Sequence, residues 1–281
     1  MTAFGRVGIL FQADRPESSG LASWLSLTLG AQGIAVWQGV AQDEAALRGQ
    51  AGSLDLLITL GGDGTIVRAV RATARACVPV LGVNLGRLGF LAEIEPEQLA
   101  ESLPRLLAGD YNVENRLMLH VEVVRGRKQL LVAEAVNDVV LTRGRVSRTV
   151  RVSVEADGRH IMTPTADGVI VSTPTGSTAY GLSAGGPIIS PELDCLSITP
   201  VAPHLGHSHS FVVPGSCRVT LALIRGEEAI VTVDGQLDLS LAPGDRVLAT
   251  ASEHRASFVR LGGDGYFYDT VLRKLSWPDP V

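Results

Sequence analysis

Gly61-Gly62-Asp63-Gly64-Thr65 follows an apolar run over residues 54–60 and precedes a segment of helical periodicity. Glycines at such a strand-to-helix bend let the backbone approach a ligand closely, and the helix that starts there offers free N–H groups, which suits a phosphate. Asp63 is the only ionisable residue of the turn. A carboxylate in that place could take a proton from a hydroxyl or hold Mg²⁺, and the positive end of the helix dipole favours its charge. Phosphoryl transfer passes through a loose transition state, so a weak base that orients the attacking oxygen suffices. The plainer reading, a Gly-rich turn in which Asp63 caps the helix, explains one Asp and one Gly but not three glycines. The string recurs at Gly262-Gly263-Asp264-Gly265, followed by Tyr266-Phe267-Tyr268. That aromatic run has β propensity, so the second copy is expected to be a turn with no helix N-terminus behind it.

Two further segments carry polar groups where an apolar core would not want them. Ala135-Val136-Asn137-Asp138-Val139-Val140 places an amide and a carboxylate within an apolar stretch, where each polar group left unsatisfied costs about 1–3 kcal/mol. Adjacent strand residues face opposite ways, so Asn137 and Asp138 can meet one ligand only at a strand end or bulge; a turn-forming Asn-Asp pair is the alternative. The run from Asp167-Gly168 through Ser172-Thr173-Pro174-Thr175-Gly176-Ser177-Thr178-Ala179-Tyr180 to Gly185-Gly186-Pro187 passes from a strand into a hydroxyl-rich loop and a short helix, with Ser177 or Thr178 as its cap. Small residues let a flat ring approach while hydroxyls and N–H groups fix it. Tyr180 can stack on a base or pack in a core. His204, His207 and His209 could be read as a zinc cluster, but two prolines precede them and no carboxylate stands near to orient them, so a surface or interface loop is preferred.

The elements that must position these residues change character along the chain. Residues 6–11, 34–37, 54–60 and 79–84 read as strands. A helix capped by Asp14 with Pro16 in its first turn runs toward Gly33, others cover 42–48 and 65–76, and one opens at Pro96 and ends near Gly109. In the 65–76 helix, Ile66, Ala69, Val70 and Ala74 share one face and Arg68, Arg71 and Arg75 another. Strand and helix alternate, which indicates a parallel sheet. Beyond Asn112, Val, Ile and Thr dominate, and Asp157-Gly158, Asp234-Gly235 and Pro243-Gly244 mark turns. The expected architecture is an α/β N-terminal domain with a parallel sheet over residues 1–112 and a β-rich, all-β C-terminal domain over 113–255. A C-terminal segment over 256–281, of no assigned structure, is expected to return to the first domain.

The composition narrows the chemistry. The chain has 281 residues, 46% hydrophobic and 19% charged, so it folds and has room for two domains. No apolar run is long enough for a membrane span, and the N-terminus lacks the marks of a secretory leader. Cys77, Cys195 and Cys217 are odd in number and far apart, which points to a reducing cytosol and a cytoplasmic protein. A net charge of −5 without basic clusters argues against nucleic acid as a partner. Lys128 and Lys274 are the only lysines, so no GxxxxGK[ST] loop exists in the first half and any phosphate chemistry there uses Arg, backbone N–H groups or a metal.

Taken together and in this order, GGDGT, Asn137-Asp138 and the Thr173 to Tyr180 run resemble the NAD kinases. The likeness extends from about Ile58 to Val233-Asp234-Gly235-Gln236, and Leu272-Arg273-Lys274-Leu275-Ser276-Trp277 is similar to that family's C-terminus. The resemblance implies an enzyme that moves a phosphoryl group from ATP, or another nucleoside triphosphate or polyphosphate donor, to the 2′-hydroxyl of the adenosine ribose of NAD, giving NADP. It implies a divalent cation, Mg²⁺, bridging the donor phosphates, and no metal held by the protein alone. Asp63 would be the proton acceptor, with Asp63 and Gly64 against the dinucleotide and Arg68 near its phosphates. Asn137 and Asp138 would bond ribose hydroxyls or the base. Arg148, Thr165, Asp167 and Thr175 would line the ligand, Thr178, Ala179, Tyr180, Gly181, Leu182 and Ser183 would form the nucleotide-binding turn, and Gln236 would come from the later VDGQ turn. The family fold implied is the α/β domain followed by the β-rich domain, with ligand held between them in a homodimer or homotetramer. Gly181 departs from the pattern, as a polar residue is common there. Pro203-His204 lacks the Arg-Pro that usually follows, and Thr165 occupies a position that varies with preference for NAD or NADH. The competing readings are a GGDGT-type lipid kinase similar to the diacylglycerol kinases, which has no use for the Thr173 to Tyr180 turn, and a non-catalytic NADP-binding sensor, against which Asp63 argues.

Overall fold

The apolar runs at 6–11, 54–60 and 79–84 become strands buried on both faces while that at 34–37 becomes a partly exposed one, and the segments of 3.6-residue period become the helices that cover them. The computed structural model describes residues 4–86, 89–144, 148–204, 209–262 and 266–275. The chain divides into two units, one from Met1–Arg116 with Arg255–Val281, the other from Leu117–His254.

In the first unit β1 (Arg6–Phe11), α1 (Pro16–Ala31), β2 (Ala35–Val40), α2 (Glu44–Ala51), β3 (Leu56–Gly61), α3 (Asp63–Thr73), β4 (Val80–Asn84) and α4 (Pro96–Leu107) alternate along the chain. The strands are parallel in the order β2–β1–β3–β4. Crossovers therefore leave β1 toward opposite sides, and in open α/β sheets ligands bind beyond the carboxyl ends of the strands at such a switch point. The GGDGT turn, which closes β3, lies at one of those ends. Val7, Ile9, Leu25, Leu29, Ile58, Leu60, Leu81, Val83 and Leu103 fill the core of this unit.

Two local expectations give way here. Arg15, not Asp14, precedes the first turn of α1, with no side-chain cap. Ser18 ties that turn down instead, its Oγ accepting from the Gln12 N–H at 3.0 Å and donating to the Leu60 carbonyl at 3.0 Å. On α3 the three arginines do not form one solvated face. Arg75 is exposed and Arg68 half-buried, but Arg71 is buried because α2 covers it, and its charge is met by Glu44 of α2 at 2.7 Å.

The second unit takes in most of β5 (Asn112–Arg125), then β6 (Lys128–Ala135), β7 (Asp138–Arg143), β8 (Val150–Ala156), β9 (Arg159–Met162), β10 (Thr165–Ala166) and β11 (Gly168–Ser172). After α5 (Tyr180–Ser183) come β12 (Cys195–Val201), β13 (Phe211–Pro214), β14 (Val219–Arg225), β15 (Ala229–Val233), β16 (Leu237–Leu241) and β17 (Arg246–Arg260), whose last residues belong to the first unit. An antiparallel sheet runs β13–β12–β11–β7–β15–β16. Elsewhere in the unit β5 pairs with β6, and β8 pairs with β9, β10 and β14. Alternate residues such as Val139, Leu141, Val169, Val171, Val231 and Val233 point into one core, as period-2 patterning requires. Asp157-Gly158 and Asp234-Gly235 turn with φ of 48° and 73°, and 51° and 61°, the left-handed pairs that tight hairpins need.

The tail corrects the reading of the second GGDG. Gly263, Asp264 and Gly265 lie outside the described residues, but Tyr266–Leu275 forms a helix, α6, and not an extended aromatic run. Thr270 is buried while Tyr268 and Leu272 are exposed, so a helical period outweighs the β propensity of the aromatics. Ser276 and Trp277 also lie outside the described residues. Among those described, no helix is long and apolar enough to cross a membrane.

Candidate active site

Gly62, with φ −95° and ψ −174°, leads β3 into α3, so Asp63 is the first helical residue rather than the cap. Its carboxylate reaches sideways instead. Oδ2 accepts the Phe90 N–H at 2.7 Å and Oδ1 accepts the Leu91 N–H at 3.2 Å. Gly89 stands against the same group, where an added Cβ would fall 1.9 Å from Asp63 Oδ1, so only glycine leaves the carboxylate where it is. Gly61 has a similar reason, since a Cβ there would meet Thr65 Oγ1 at 2.5 Å. Gly64 is exposed on the first turn of α3 and Arg68 follows one turn later.

In the second unit the Asn137-Asp138 pair lies where β6 has ended and β7 begins, which is the strand end that two adjacent polar residues require. Asp234 holds this corner. Its carboxylate accepts from the N–H groups of Val136, Asn137 and Asp138 at 3.0, 2.8 and 3.3 Å, and its own N–H donates to the Asp138 carbonyl at 2.9 Å. The Asp138 side chain is buried. Burial, and then the charge of Asp234, push its carboxyl up to about 7.

The hydroxyl-rich turn packs on the same corner. Thr173 donates its N–H to the Asn137 carbonyl at 2.9 Å and its Oγ1 to the Val136 carbonyl at 2.7 Å. Gly176 lies so close that a Cβ would stand 2.0 Å from the Asn137 carbonyl oxygen. Thr175–Thr178 forms one 3₁₀ turn, and α5 follows with no side-chain cap. The expected capping by Ser177 or Thr178 does not occur because both hydroxyls turn back. Ser177 Oγ donates to the Pro174 carbonyl at 2.6 Å and accepts from the Ile189 N–H at 3.0 Å, and Thr178 Oγ1 donates to the Thr175 carbonyl at 3.0 Å. Thr175 is buried with Oγ1 unpartnered, an atom a bound polar ligand would satisfy. Ala179 and Leu182 are half-buried, Gly181 is buried and Ser183 exposed. Tyr180 is 44% exposed, so it is not a core tyrosine and its ring is free to stack.

The remaining expected positions are spread over the second unit. Arg148 and Thr165 line a cavity of about 400 Å³ with Arg151, Arg225 and Glu227, and Arg148 pairs with Glu227 at 3.1 Å. The Asp167 carboxylate is held by Arg143 at 2.8 Å. Gln236 closes the β15–β16 turn, its N–H bonded to the Val233 carbonyl at 3.0 Å. His204 donates its N–H to the Thr165 carbonyl at 2.8 Å, and His207 lies outside the described residues. Asp63, Gly64 and Arg68 thus belong to the first unit and all the other expected residues to the second. The sequence reading missed the Phe90 and Leu91 amides and the anchoring by Asp234. The first have no residue-type signature. The second has one, an Asp closing an apolar strand, but the Gly that follows it makes a turn the nearer expectation.

The ATP-NAD kinase N-terminal domain family matches residues 7–111, and the ATP-NAD kinase C-terminal domain family matches residues 136–261. An NAD kinase of Heliobacterium modesticaldum is 41% identical over 276 residues, covering 95% of this chain and 97% of its own. One of Moorella thermoacetica is 45% identical over 239 residues, 85% of this chain and 74% of its own. Among solved structures, yeast NADH kinase complexed with NADH superposes with a TM-score of 0.86 at 24% identity over 98% of this chain and 89% of that one. An NAD kinase from Archaeoglobus fulgidus in complex with ATP gives 0.77 at 26% identity over 94% and 96%.

Proposed function

The chain belongs to the NAD kinase family, and we propose that it transfers the terminal phosphoryl group of ATP, or of another nucleoside triphosphate or polyphosphate, to the 2′-hydroxyl of the adenosine ribose of NAD. The products are NADP and the shortened donor. The observation that carries this reading is the Asp63 carboxylate, fixed by two backbone N–H groups at the bend between β3 and α3. Held that way it orients the 2′-hydroxyl and takes its proton as the oxygen attacks phosphorus and the bond to the leaving phosphate breaks.

Gly64 leaves the backbone open to the dinucleotide, and Arg68 meets its phosphates. Asn137 and Asp138 bond ribose hydroxyls or the base, Thr175 presents its unpartnered hydroxyl, and Thr178 to Ser183 form a wall whose Tyr180 ring stacks on the base. Arg148, Thr165, Asp167 and Gln236 complete the set that lines the ligand. Among the described residues each Asp63 oxygen accepts one N–H, which leaves it a further lone pair. Among the described residues no three His, Cys, Asp or Glu side chains gather as a metal cage. Those lone pairs would let Asp63 share a Mg²⁺ ion brought in with the donor's phosphates. When bound, the cation neutralises phosphate charge. Free thiols at Cys77, Cys195 and Cys217 support a cytoplasmic setting. Phe211 and Val212, exposed on the edge strand β13, support a homodimer or homotetramer that covers them.

Asp63→Asn tests the central role. Expected is a fall in kcat of about 10²-fold or more with NAD binding within a few-fold of the parent, read as NADP formed from ATP and NAD. Unchanged turnover removes Asp63 as the base. Wild-type protein that binds NADP yet forms none from any donor is a sensor and not a kinase.

A further inference from the structure

We propose that Tyr266 and Arg260 are positioning residues for the transfer: they hold the Phe90–Leu91 backbone whose N–H groups fix the Asp63 carboxylate. The proposal rests on Asp63 being the proton acceptor. Phe90 C=O and Leu91 N–H belong to one planar peptide unit. At one end of it the Leu91 N–H donates to Asp63 Oδ1 at 3.2 Å, and at the other the Tyr266 hydroxyl donates to the Phe90 carbonyl at 3.5 Å. The next carbonyl, that of Leu91, accepts from Arg260 Nη1 at 3.3 Å. A tyrosine hydroxyl has one hydrogen and two lone pairs. Its hydrogen goes to Phe90, and the lone pairs take N–H groups from Arg260 Nη2, at 2.7 Å, and Arg116.

The anchor behind this pair is stiff. Arg260 is buried and donates to Glu114 Oε2 at 2.7 Å and Glu93 Oε2 at 3.0 Å. Glu93 also accepts from the N–H groups of Leu261 and Gly262 at 2.7 and 3.0 Å. Burial works to raise the Glu114 carboxyl, but the Arg116 and Arg260 charges outweigh it and leave its pKa below the usual carboxylate value. The Arg260 guanidinium lies 4.1 Å from the Tyr266 ring centroid, and Lys274 Nζ lies 4.3 Å over the Phe90 ring. The end of β17 and α6 thus converge on the two residues that grip Asp63. Bonds in series polarise one another and share strain, and small misplacements of a reacting group cost rate steeply.

Tyr266→Phe keeps the ring and deletes the relay. Expected is about a ten-fold fall in kcat with KM for NAD and for ATP within two-fold, measured on the folded fraction at a temperature well below Tm. The deciding measurement is the cycle with Asp63→Asn: a residue that acts through Asp63 has no further effect on kcat once that carboxylate is gone, so Asp63→Asn and the double variant turn over alike. A purely structural tyrosine would instead lower Tm and leave kcat of the folded enzyme unchanged, or add its loss in full to that of Asp63→Asn. Either result overturns the proposal while Asp63→Asn, still inactive, leaves the proposed function standing. Should Tyr266→Phe not fold, Arg260→Lys, which keeps the buried charge but loses the fork to the Leu91 carbonyl and the Tyr266 hydroxyl, carries the same cycle with an expected loss of about two- to five-fold, and full kcat there is likewise a refutation.

Discussion

Asp138 is a carboxyl in a place that does not favour its charge. Burial comes first and the neighbouring Asp234 second, and together they bring it up to about 7 from an ordinary 3.8. A carboxyl whose pKa is raised by folding binds its proton more tightly in the native state than in the unfolded one. The slope of stability with pH is therefore negative between those two values. Well below 3.8 both states are protonated and Asp138 costs nothing. As pH rises toward 7 the unfolded chain ionises freely while the native carboxyl resists, and the destabilisation grows to an upper bound of roughly 4 kcal/mol. Asp138→Asn removes the titration. Its Tm should gain on the parent by several degrees between pH 4.5 and pH 8, in thermal melts without ligand; a difference that stays the same at both pH values would show that Asp138 ionises without penalty. Asp63 and Asp138 stand out in the sequence because the first is set among glycines and the second, beside Asn137, within an apolar stretch. The Phe90 and Leu91 amides were not, since every residue but proline has such a group and only the fold shows which two are aimed at Asp63.

The strand-to-helix bend after β3 and the corner between β6 and β7 are elements whose chemistry comes from backbone proximity. Gly176 shows how close: its missing Cβ would overlap the Asn137 carbonyl oxygen at 2.0 Å, and a backbone atom cannot swing aside as a side-chain tip can. Gly176→Ala should push the Thr175–Thr178 turn off the Asn137 corner. The expected cost is about 1–3 kcal/mol of stability, seen as a lower Tm, with NAD binding by calorimetry weakened about ten-fold or more because both surfaces proposed to hold the dinucleotide shift together. Wild-type Tm and affinity would mean that the turn and the corner move independently. Most elements were readable from periodicity, since β3 and β4 are continuous apolar runs and β7, β11 and β15 alternate around shared core positions such as Val139, Val171 and Val231. α6 was not, because Tyr266, Phe267 and Tyr268 carry strand propensity individually. Its Tyr266 hydroxyl is held by two guanidinium groups, Arg260 just before the helix and Arg116 far back in the chain, and a partner as remote as Arg116 leaves no mark on the local pattern.

At the scale of the whole molecule the scarce resource is fixed positive charge. Lys128 and Lys274 are the only lysines in a chain of net charge −5, and in the first unit many arginines are already matched. Glu44 takes Arg48 and Arg71, Asp110 takes Arg105, and Glu93 and Glu114 share Arg116 and Arg260. A triphosphate donor brings several negative charges, and helix N-termini supply only a fraction of a charge each. A divalent cation must then neutralise most of the donor. Excess EDTA should abolish NADP formation and added Mg²⁺ restore it. The same EDTA should leave the Tm of the ligand-free protein where it was, because a metal stabilises a fold only by binding it and no cluster of three ligating side chains stands ready among the described residues. Turnover that survives EDTA would mean that arginines such as Arg68 carry the donor's charge alone, whereas a Tm that falls with EDTA would place an ion in the fold itself and separate its role from the phosphoryl donor.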